Sequence, residues 1–238
     1  MENYDSYAPQ YDAAVVSGGP VTECAYRFVL EQIGQGTGAQ VCDIGCGQGE
    51  LARRIAKMGA RVTGVDVSTE QLNTARSYGE TTIRWLRDDA RTLSQMESES
   101  CDVAVCNLML MDTPNFPDVL ASACRILKVG GQLIVTLTHP CSQSPYSETM
   151  QDEAGVYRHR LIKDYSADQW FSSGKGTIRR TVGAYHRSIS AYLNEIVKAG
   201  FAILRMEEPV ADARWIAEER QLIHTVIPPV LGIVARKS

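Results

Sequence analysis

The chain has 238 residues, of which 44 % are hydrophobic and 22 % charged, with a formal charge of −4. That length and composition favour one globular unit with a substantial core, and the acidic balance argues against general attraction to phosphate backbones or anionic membranes. Seven cysteines without a C-x-x-C pair favour neither a disulfide framework nor a zinc site. With neither an apolar signal core nor a run of the ~18 apolar residues that a membrane span needs, we expect a cytoplasmic protein.

The first eighteen residues are marked by tyrosines. Tyr4, Tyr7 and Tyr11 are spaced to share one face of a helix, although Pro9 lies between them. Such a stripe either packs the helix onto the domain or closes over a site as a lid, and both interpretations stay open. A helix over 22–33 follows.

Residues 41–66 have the pattern of a strand, a glycine turn, a helix and a second strand. Gly45, Gly47 and Gly49 allow a sharp turn and close approach of a ligand to backbone amides at the start of the next helix. Asp66 follows the second strand, where a carboxylate accepts hydrogen bonds from ribose hydroxyls. The segment therefore predicts a nucleoside site.

The rest of the chain continues the alternation of strands and helices, which predicts right-handed crossovers and a mostly parallel sheet. We expect helices near 49–57, 69–77, 117–127 and 190–199, and strands near 83–86, 102–107, 132–138, 201–206 and 230–235. The last of these strands is predicted to pair antiparallel at one edge.

The regular pattern lapses between residues 140 and 184, a segment with five aromatic residues. A stretch of this length inside a compact domain usually has a function, and its aromatic content is too high for a typical disordered linker. We interpret it as a cap over a substrate, with Trp170 and Tyr185 among the substrate-binding residues. Its basic residues are interpreted as a solvated face.

Two histidines are candidates for a general base, because the unperturbed imidazole pKa of about 6.5 suits proton removal near neutrality. His139 follows the predicted fifth strand, and His186 lies where the cap returns to the core. Each has an alternative role: His139 as a strand cap, and His186 as an anchor of the cap. Cys141, after Pro140, is a weaker candidate as a nucleophile.

The stretch 41–49 resembles the first motif of class I S-adenosylmethionine-dependent methyltransferases, (V/I/L)-x-(D/E)-x-G-x-G-x-G. Asp43, two places before the first glycine, would oppose a pyrophosphate and suits a cationic ligand. The L-K-V-G-G stretch at 127–131 is similar to the family's turn before strand five. The stretch 4–12 looks like the Y-D-x-x-A-x-x-Y-D opening of the ubiquinone-biosynthesis-like, type 11 branch.

The resemblance implies a Rossmann-like α/β fold: a seven-stranded, mostly parallel sheet with helices on both faces, an antiparallel last strand and a cap insertion after strand five. It implies one methyltransferase domain over 1–238, with a lid at 1–20, a cofactor core at 21–139, the cap at 140–185 and completion of the sheet at 186–238. The implied cofactor is S-adenosylmethionine, with S-adenosylhomocysteine as product and no metal.

The resemblance also implies roles for individual residues. Asp43 would lie near the methionine end, the glycine loop would pass beneath the cofactor, and Asp66 would hold the ribose. The full set of expected cofactor contacts is Asp43, Gly45, Cys46, Gly47, Gly49, Asp66, Val67, Gln71, Asp89, Ala90, Asn107 and Leu108. The expected substrate contacts are Tyr7, Tyr11, Met111, Asp112, Trp170 and Tyr185.

The expected activity is direct in-line methyl transfer to an oxygen, nitrogen or carbon of a small, aromatic or heterocyclic metabolite. Cys106-Asn107-Leu108-Met109 departs from the N-P-P-(Y/F) motif of enzymes that methylate adenine amines, which argues against a nucleic-acid target. Two alternatives stay open: an RNA methyltransferase, and a regulatory protein that binds the cofactor without catalysis. We expect no membrane or nucleic-acid partner and either a monomer or a homodimer.

Overall fold

The computed structural model describes residues 18–142, 147–172 and 183–238. The elements within these ranges are, in chain order, α1 (Pro20–Ile33), β1 (Gln40–Ile44), α2 (Glu50–Lys57), β2 (Arg61–Asp66), α3 (Thr69–Ser77), β3 (Arg84–Arg87), β4 (Cys101–Asn107), α4 (Phe116–Ile126), β5 (Leu127–Thr138), β6 (Ser147–Gln151), β7 (Tyr157–Ile162), β8 (Gln169–Phe171), β9 (Ala184–His186), α5 (Ile189–Lys198), β10 (Phe201–Glu207) and β11 (Val230–Lys237). Short 3₁₀ helices lie at Leu110–Asp112, Ala213–Trp215 and Glu219–Thr225. No helix in the described ranges is both long and apolar enough to cross a membrane.

Seven strands form the central sheet in the order β10-β11-β5-β4-β1-β2-β3. Strands β1 to β5 pair in parallel, whereas β11 pairs antiparallel with both β5 and β10. This confirms the predicted Rossmann-like fold and its antiparallel last strand. The edge position predicted for that strand is wrong: β11 lies inside the sheet, and residues 230–235 are buried accordingly.

The two faces of the sheet carry different helices. Successive side chains of a strand point to opposite faces, so the contacts of one strand show which helices cover each face. On β4, Val103 and Val105 pack with side chains of α1 and α2. Ala104 and Cys106, which alternate with them, pack with side chains of α4 and α5. The sheet is thus buried on both faces. The carboxyl ends of its parallel strands remain open.

The L-K-V-G-G stretch lies within β5 and is not a separate turn before it. Leu127 pairs with Cys101 and Gln132 with Val103, so four residues of β5 intervene where β4 has one. The extra residues bulge out, and Lys128, Val129 and Gly130 are exposed. The sequence signal for a turn therefore marks a bulge at the start of the fifth strand.

The segment expected to lack regular structure contains two short antiparallel sheets. Strands β6 and β7 form a hairpin that packs against the 3₁₀ helix Glu219–Thr225, and β8 pairs with β9. Most side chains of β6, β7 and β8 are exposed or half-buried, so they lack the apolar alternation that identifies strands from sequence. The expected residues Tyr7 and Tyr11 lie outside the described residues.

Candidate functional site

An open cleft of about 800 Å³, solvent included, lies at the carboxyl ends of β1, β2 and β4. This is where parallel α/β sheets bind ligands. The cleft is lined by Gly45, Gly47, Val65, Asp66, Val67, Gln71, Asp88, Asp89, Ala90, Arg91, Asn107, Leu108, Met109, Asp112 and Thr113. Nine of the twelve expected cofactor residues are among them, as is Asp112 of the expected substrate residues.

The Asp66 carboxylate holds the glycine loop in place. Its Oδ2 accepts a hydrogen bond from the Gly47 amide at 2.8 Å, and its Oδ1 accepts one from the Ser68 amide at 2.9 Å. Gly45 has φ 71°, and a Cβ there would come within 3.0 Å of the Met109 side chain. The loop therefore closes tightly, and Asp66 joins it to the end of β2.

Gly49 serves packing and lies outside the lining of the cleft. With φ 79°, it caps α2, and a Cβ at this position would come within 2.3 Å of the Trp85 ring. Trp85, a residue of β3, lies over the glycine loop. No local pattern in the sequence indicates this contact. The third glycine of the motif thus admits an aromatic ring, in addition to allowing the turn.

A smaller cavity of about 310 Å³ adjoins the cleft and shares Gly45 and Asn107 with it. Asp43 and Gln48 line it, and both side chains are at most 2 % exposed. The Asp43 Oδ2 and Gln48 Nε2 atoms are buried without a hydrogen-bond partner among the described residues. Burial, together with the Asp66 charge, raises the pKa of Asp43 to about 7.

The orientation of the Gln48 amide follows from its neighbour Arg53. A guanidinium only donates hydrogen bonds, and Arg53 Nη2 lies 2.8 Å from Gln48 Oε1. The amide oxygen therefore faces Arg53, and the Nε2 donor faces the cavity side. Gln48 was not anticipated, since a glutamine between two glycines is also a common turn residue.

Further polar groups lie beside β2 and β3. Gln71, on the first turn of α3, is 2 % exposed, and both atoms of its amide group are buried without a partner among the described residues. Asp89 is bound by Arg91 of its own loop at 2.6 Å, which lowers the pKa of the Asp89 carboxyl. Asp88 instead accepts hydrogen bonds from Gln95 and other groups of the loop and so shapes it.

The two candidate base histidines lie outside the residues that line the cleft. His139 Nδ1 accepts a hydrogen bond from the Cys141 amide at 3.2 Å, and His139 Nε2 lies 2.8 Å from Glu208 Oε1. An acceptor at Nδ1 leaves the proton on Nε2, directed to Glu208. His186 Nε2 donates to the Tyr165 carbonyl at 2.8 Å. These contacts favour the alternative roles, in which His139 caps the end of its strand and His186 anchors the cap.

One wall of the cleft is formed by residues within 108–113, and a buried arginine supports them. Arg187 is 5 % exposed and donates hydrogen bonds to the carbonyls of Leu110, Thr113 and Pro114 at 3.2, 2.9 and 2.9 Å. Its guanidinium also lies 4.6 Å from the Phe116 ring centroid. The return of the cap thus fixes the wall that carries Asp112. The sequence indicates this supporting role of Arg187 only by its position directly after the candidate base His186.

The remaining expected residues have other surroundings. Cys46 lines only the smaller cavity, and Met111 is buried in the core. Trp170 is 53 % exposed and lies against Gly183, while Tyr185 stacks on the Arg187 guanidinium at 4.7 Å. None of these aromatic side chains of the cap lines the cleft in the described structure.

Comparison with known proteins agrees with this arrangement. The methyltransferase domain family matches residues 42–135. The ubiquinone biosynthesis O-methyltransferase of Hahella chejuensis is 35 % identical over 99 residues, which are 40 % of this chain and 42 % of that protein. The chain thus aligns with less than half the length of the curated relatives it matches.

Solved structures extend the likeness of the fold beyond the matched stretch. An S-adenosylmethionine-dependent methyltransferase from Mesorhizobium loti superposes with a TM-score of 0.76 at 24 % identity, over 93 % of this chain and all of that one. A structure from Listeria monocytogenes gives 0.75 at 23 % identity, over 91 % of this chain and 99 % of that one. Residues 42–135 thus match the methyltransferase domain family, and the chain as a whole shares the fold of these methyltransferase structures.

Proposed function

We propose that the protein transfers the methyl group of S-adenosylmethionine to a small molecule bound against residues 108–113. The observation that carries this proposal is the set of buried, unpartnered polar atoms around the glycine loop. Buried polar groups in proteins are nearly always hydrogen-bonded. Asp43, Gln48 and Gln71 together leave four such atoms unsatisfied among the described residues, so a polar ligand fits there.

The chemistry of the smaller cavity matches the amino-acid end of this cofactor. Asp43 Oδ2 is an acceptor suited to an ammonium group, and Gln48 Nε2 is a donor suited to a carboxylate. Asp66 holds two backbone amides at the mouth of the cleft, and its carboxylate is the acceptor proposed for the ribose hydroxyls. Gln71 would supply an amide group to the nucleoside part in the main cleft.

The same residues account for selectivity between cofactors. A carboxylate at position 43 disfavours the pyrophosphate of a dinucleotide and favours a cationic ligand. S-adenosylmethionine, when bound, would supply a methyl group carried on a sulfonium. The acceptor atom would attack the methyl carbon, and the sulfur would leave as a neutral thioether. The protein then has to align donor and acceptor and exclude water, and alignment contributes up to ~7–11 kcal/mol in favourable cases.

The acceptor is proposed to be a small aromatic or heterocyclic molecule. Leu108, Met109 and Thr113 give the wall an apolar surface, and Asp112 adds one carboxylate, which is the usual composition of small-molecule sites. The O-methyltransferase relatives favour a hydroxyl oxygen as the methylated atom. Asp112 is then the group proposed to orient that hydroxyl and receive its proton.

Mass spectrometry of the methylated product tests the proposal. The protein is incubated with S-adenosylmethionine and a panel of phenols, heteroaromatic amines and short RNAs, and we expect a gain of one methyl group on a phenol. Asp112→Asn should lower turnover by ~10²-fold or more while S-adenosylhomocysteine affinity stays within about twofold. Methylation of RNA alone, or full turnover in Asp112→Asn, would contradict the proposed acceptor site.

A further inference from the structure

Three basic side chains lie on two elements that pack together, strand β7 and the 3₁₀ helix Glu219–Thr225. Arg160 lies on β7, and Arg220 and His224 lie on the 3₁₀ helix. Arg160 Nη1 donates to Ser147 Oγ at 3.4 Å, but Arg160 Nε is buried without a partner among the described residues. His224 Nδ1 is likewise buried without a partner in the part of the chain that the structure describes.

The groups of this cluster bear on one another through burial and positive charge. Burial and then the Arg220 charge lower the pKa of Arg160. Burial and then the Arg160 charge lower the pKa of His224 to about 4. By contrast, Arg158 on the same strand is 64 % exposed and lies 3.8 Å from the Asp152 carboxylate.

An unpaired, half-buried guanidinium beside a second guanidinium is unfavourable, because burial removes water and the like charges repel. An oxyanion would accept a hydrogen bond from Arg160 Nε and one from His224 Nδ1 in its protonated tautomer, and it would offset the charge of Arg220. Such charge-assisted hydrogen bonds are the strong ones in proteins. We propose that Arg160, Arg220 and His224 bind the oxygen atoms of a carboxylate or phosphate group, at a site separate from the cofactor cleft.

A chain of contacts connects this separate site with the wall at residues 108–113. The His224 carbonyl accepts a hydrogen bond from the Ala211 amide at 2.7 Å. Ala211 belongs to the small apolar cluster against which Leu108 packs, and Leu108 lines the cleft. The anion is therefore either an acidic group carried by the methyl acceptor, which rests on the proposed function, or a free small anion.

Calorimetric titration of the S-adenosylhomocysteine-loaded protein with sulfate at pH 6.5 tests the site. We expect saturable binding that weakens at least tenfold in Arg160→Gln and in His224→Gln. Arg158→Gln, a neighbour on the same strand, is the matched control and should bind sulfate within twofold of the unmodified protein. Equal loss in Arg158→Gln, or no binding to the unmodified protein, would overturn the site.

A second readout needs no substitution in the cluster. Sulfate should shift the imidazole resonances of His224 in NMR spectra along a saturable curve, and chloride at equal ionic strength should not. Equal shifts with both ions would overturn the proposal. The S-adenosylhomocysteine affinity of each sample, measured separately, shows whether a failure belongs to the anion site or to the proposed function.

Two carboxylates distinguish the sources of the anion. Benzoate binding more tightly than acetate, and more tightly still with S-adenosylhomocysteine present, would assign the site to an aromatic acceptor. Equal affinity for acetate and benzoate would assign it to a free small anion. Saturation by neither acid nor by sulfate would overturn the proposal in both forms.

Discussion

Asp43 carries an electrostatic cost that the folded protein retains. The side chain is 1 % exposed, its Oδ2 has no hydrogen-bond partner in the part of the chain that the structure describes, and burial with the Asp66 charge raises its pKa to about 7. A buried carboxylate without partners destabilises a fold when it is ionised. Its presence is therefore best explained by a cationic ligand that ionisation of this group would attract.

Asp43→Asn should stabilise the protein without ligand. Because the folded-state pKa of Asp43 lies above its ordinary value of 3.8, ionising the group costs the folded state free energy. This cost is absent below about pH 4, grows as the pH rises to 7 and is constant above that. We expect Asp43→Asn to raise the free energy of unfolding by roughly 2–4 kcal/mol at pH 8 and by little at pH 4.5, as measured by urea denaturation.

Asp102→Asn is the opposite control for this measurement. Lys128 lowers the pKa of the half-exposed Asp102 carboxyl, so removing that charge should leave stability unchanged or reduce it at pH 8. A destabilised Asp43→Asn protein at pH 8 would show that the carboxylate is stabilised in the fold by a group other than a ligand.

Asp43 should also set the pH dependence of cofactor binding. A ligand ammonium binds the ionised carboxylate, so protonation of a group with a pKa of about 7 competes with binding. The dissociation constant of S-adenosylhomocysteine should be about tenfold larger at pH 6 than at pH 8. Asp43→Asn should bind weakly at both values, and an unchanged slope in this variant would assign the titration to another group.

His139 offers a test of anchoring against base catalysis. Asparagine can still accept the Cys141 amide hydrogen bond that His139 Nδ1 accepts, but it has no basic nitrogen. We expect His139→Asn to keep turnover within a few-fold of the unmodified protein, and His139→Ala to lower the melting temperature. Loss of ~10²-fold in turnover for both variants, with folding intact, would restore His139 as the base.

Arg187 connects two elements, the returning cap and the wall at 108–113. Three carbonyls of that wall depend on its guanidinium, and lysine lacks the planar fork to satisfy all three. We expect Arg187→Lys to speed amide hydrogen exchange at residues 110–113 and to raise the KM for the acceptor. S-adenosylhomocysteine affinity should stay within twofold, since Arg187 does not line the cleft.

The control for Arg187 is Arg205→Lys, at a half-exposed position on β10. It should change neither hydrogen exchange of the wall nor the KM for the acceptor. If Arg187→Lys weakens cofactor and acceptor binding equally, the residue supports the whole fold and not the acceptor wall in particular.

The elements around the cleft were predictable because their signals are local. Gln40 to Asp66 forms one strand-turn-helix-strand unit, whose turn residues and apolar runs are contiguous in the sequence. The cap was not predictable in the same way. Strand β8 pairs with β9 across an intervening segment, and the pairing of short, half-exposed strands leaves little periodicity to detect.

The whole molecule shows the same division between local and distant signals. The seven-stranded sheet follows from the alternation of elements, but the interior place of β11 depends on pairing with β5 about a hundred residues earlier in the chain. Likewise, the roles of Gln48, Trp85 and Arg187 arise from contacts that form only in the folded chain. Most residues that line the cleft were thus readable from motifs, whereas the supporting residues required the structure.

The glycine loop and the buried polar atoms around it predict that the cleft holds a cofactor of the S-adenosylmethionine type. Isothermal titration of the purified protein with S-adenosylhomocysteine at pH 8 tests it without knowledge of the acceptor. We predict micromolar affinity at one site per chain, with a large loss in Asp66→Asn because that amide cannot accept from both the Gly47 and Ser68 amides. Absence of binding up to millimolar ligand, or binding of NAD in its place, would contradict this prediction.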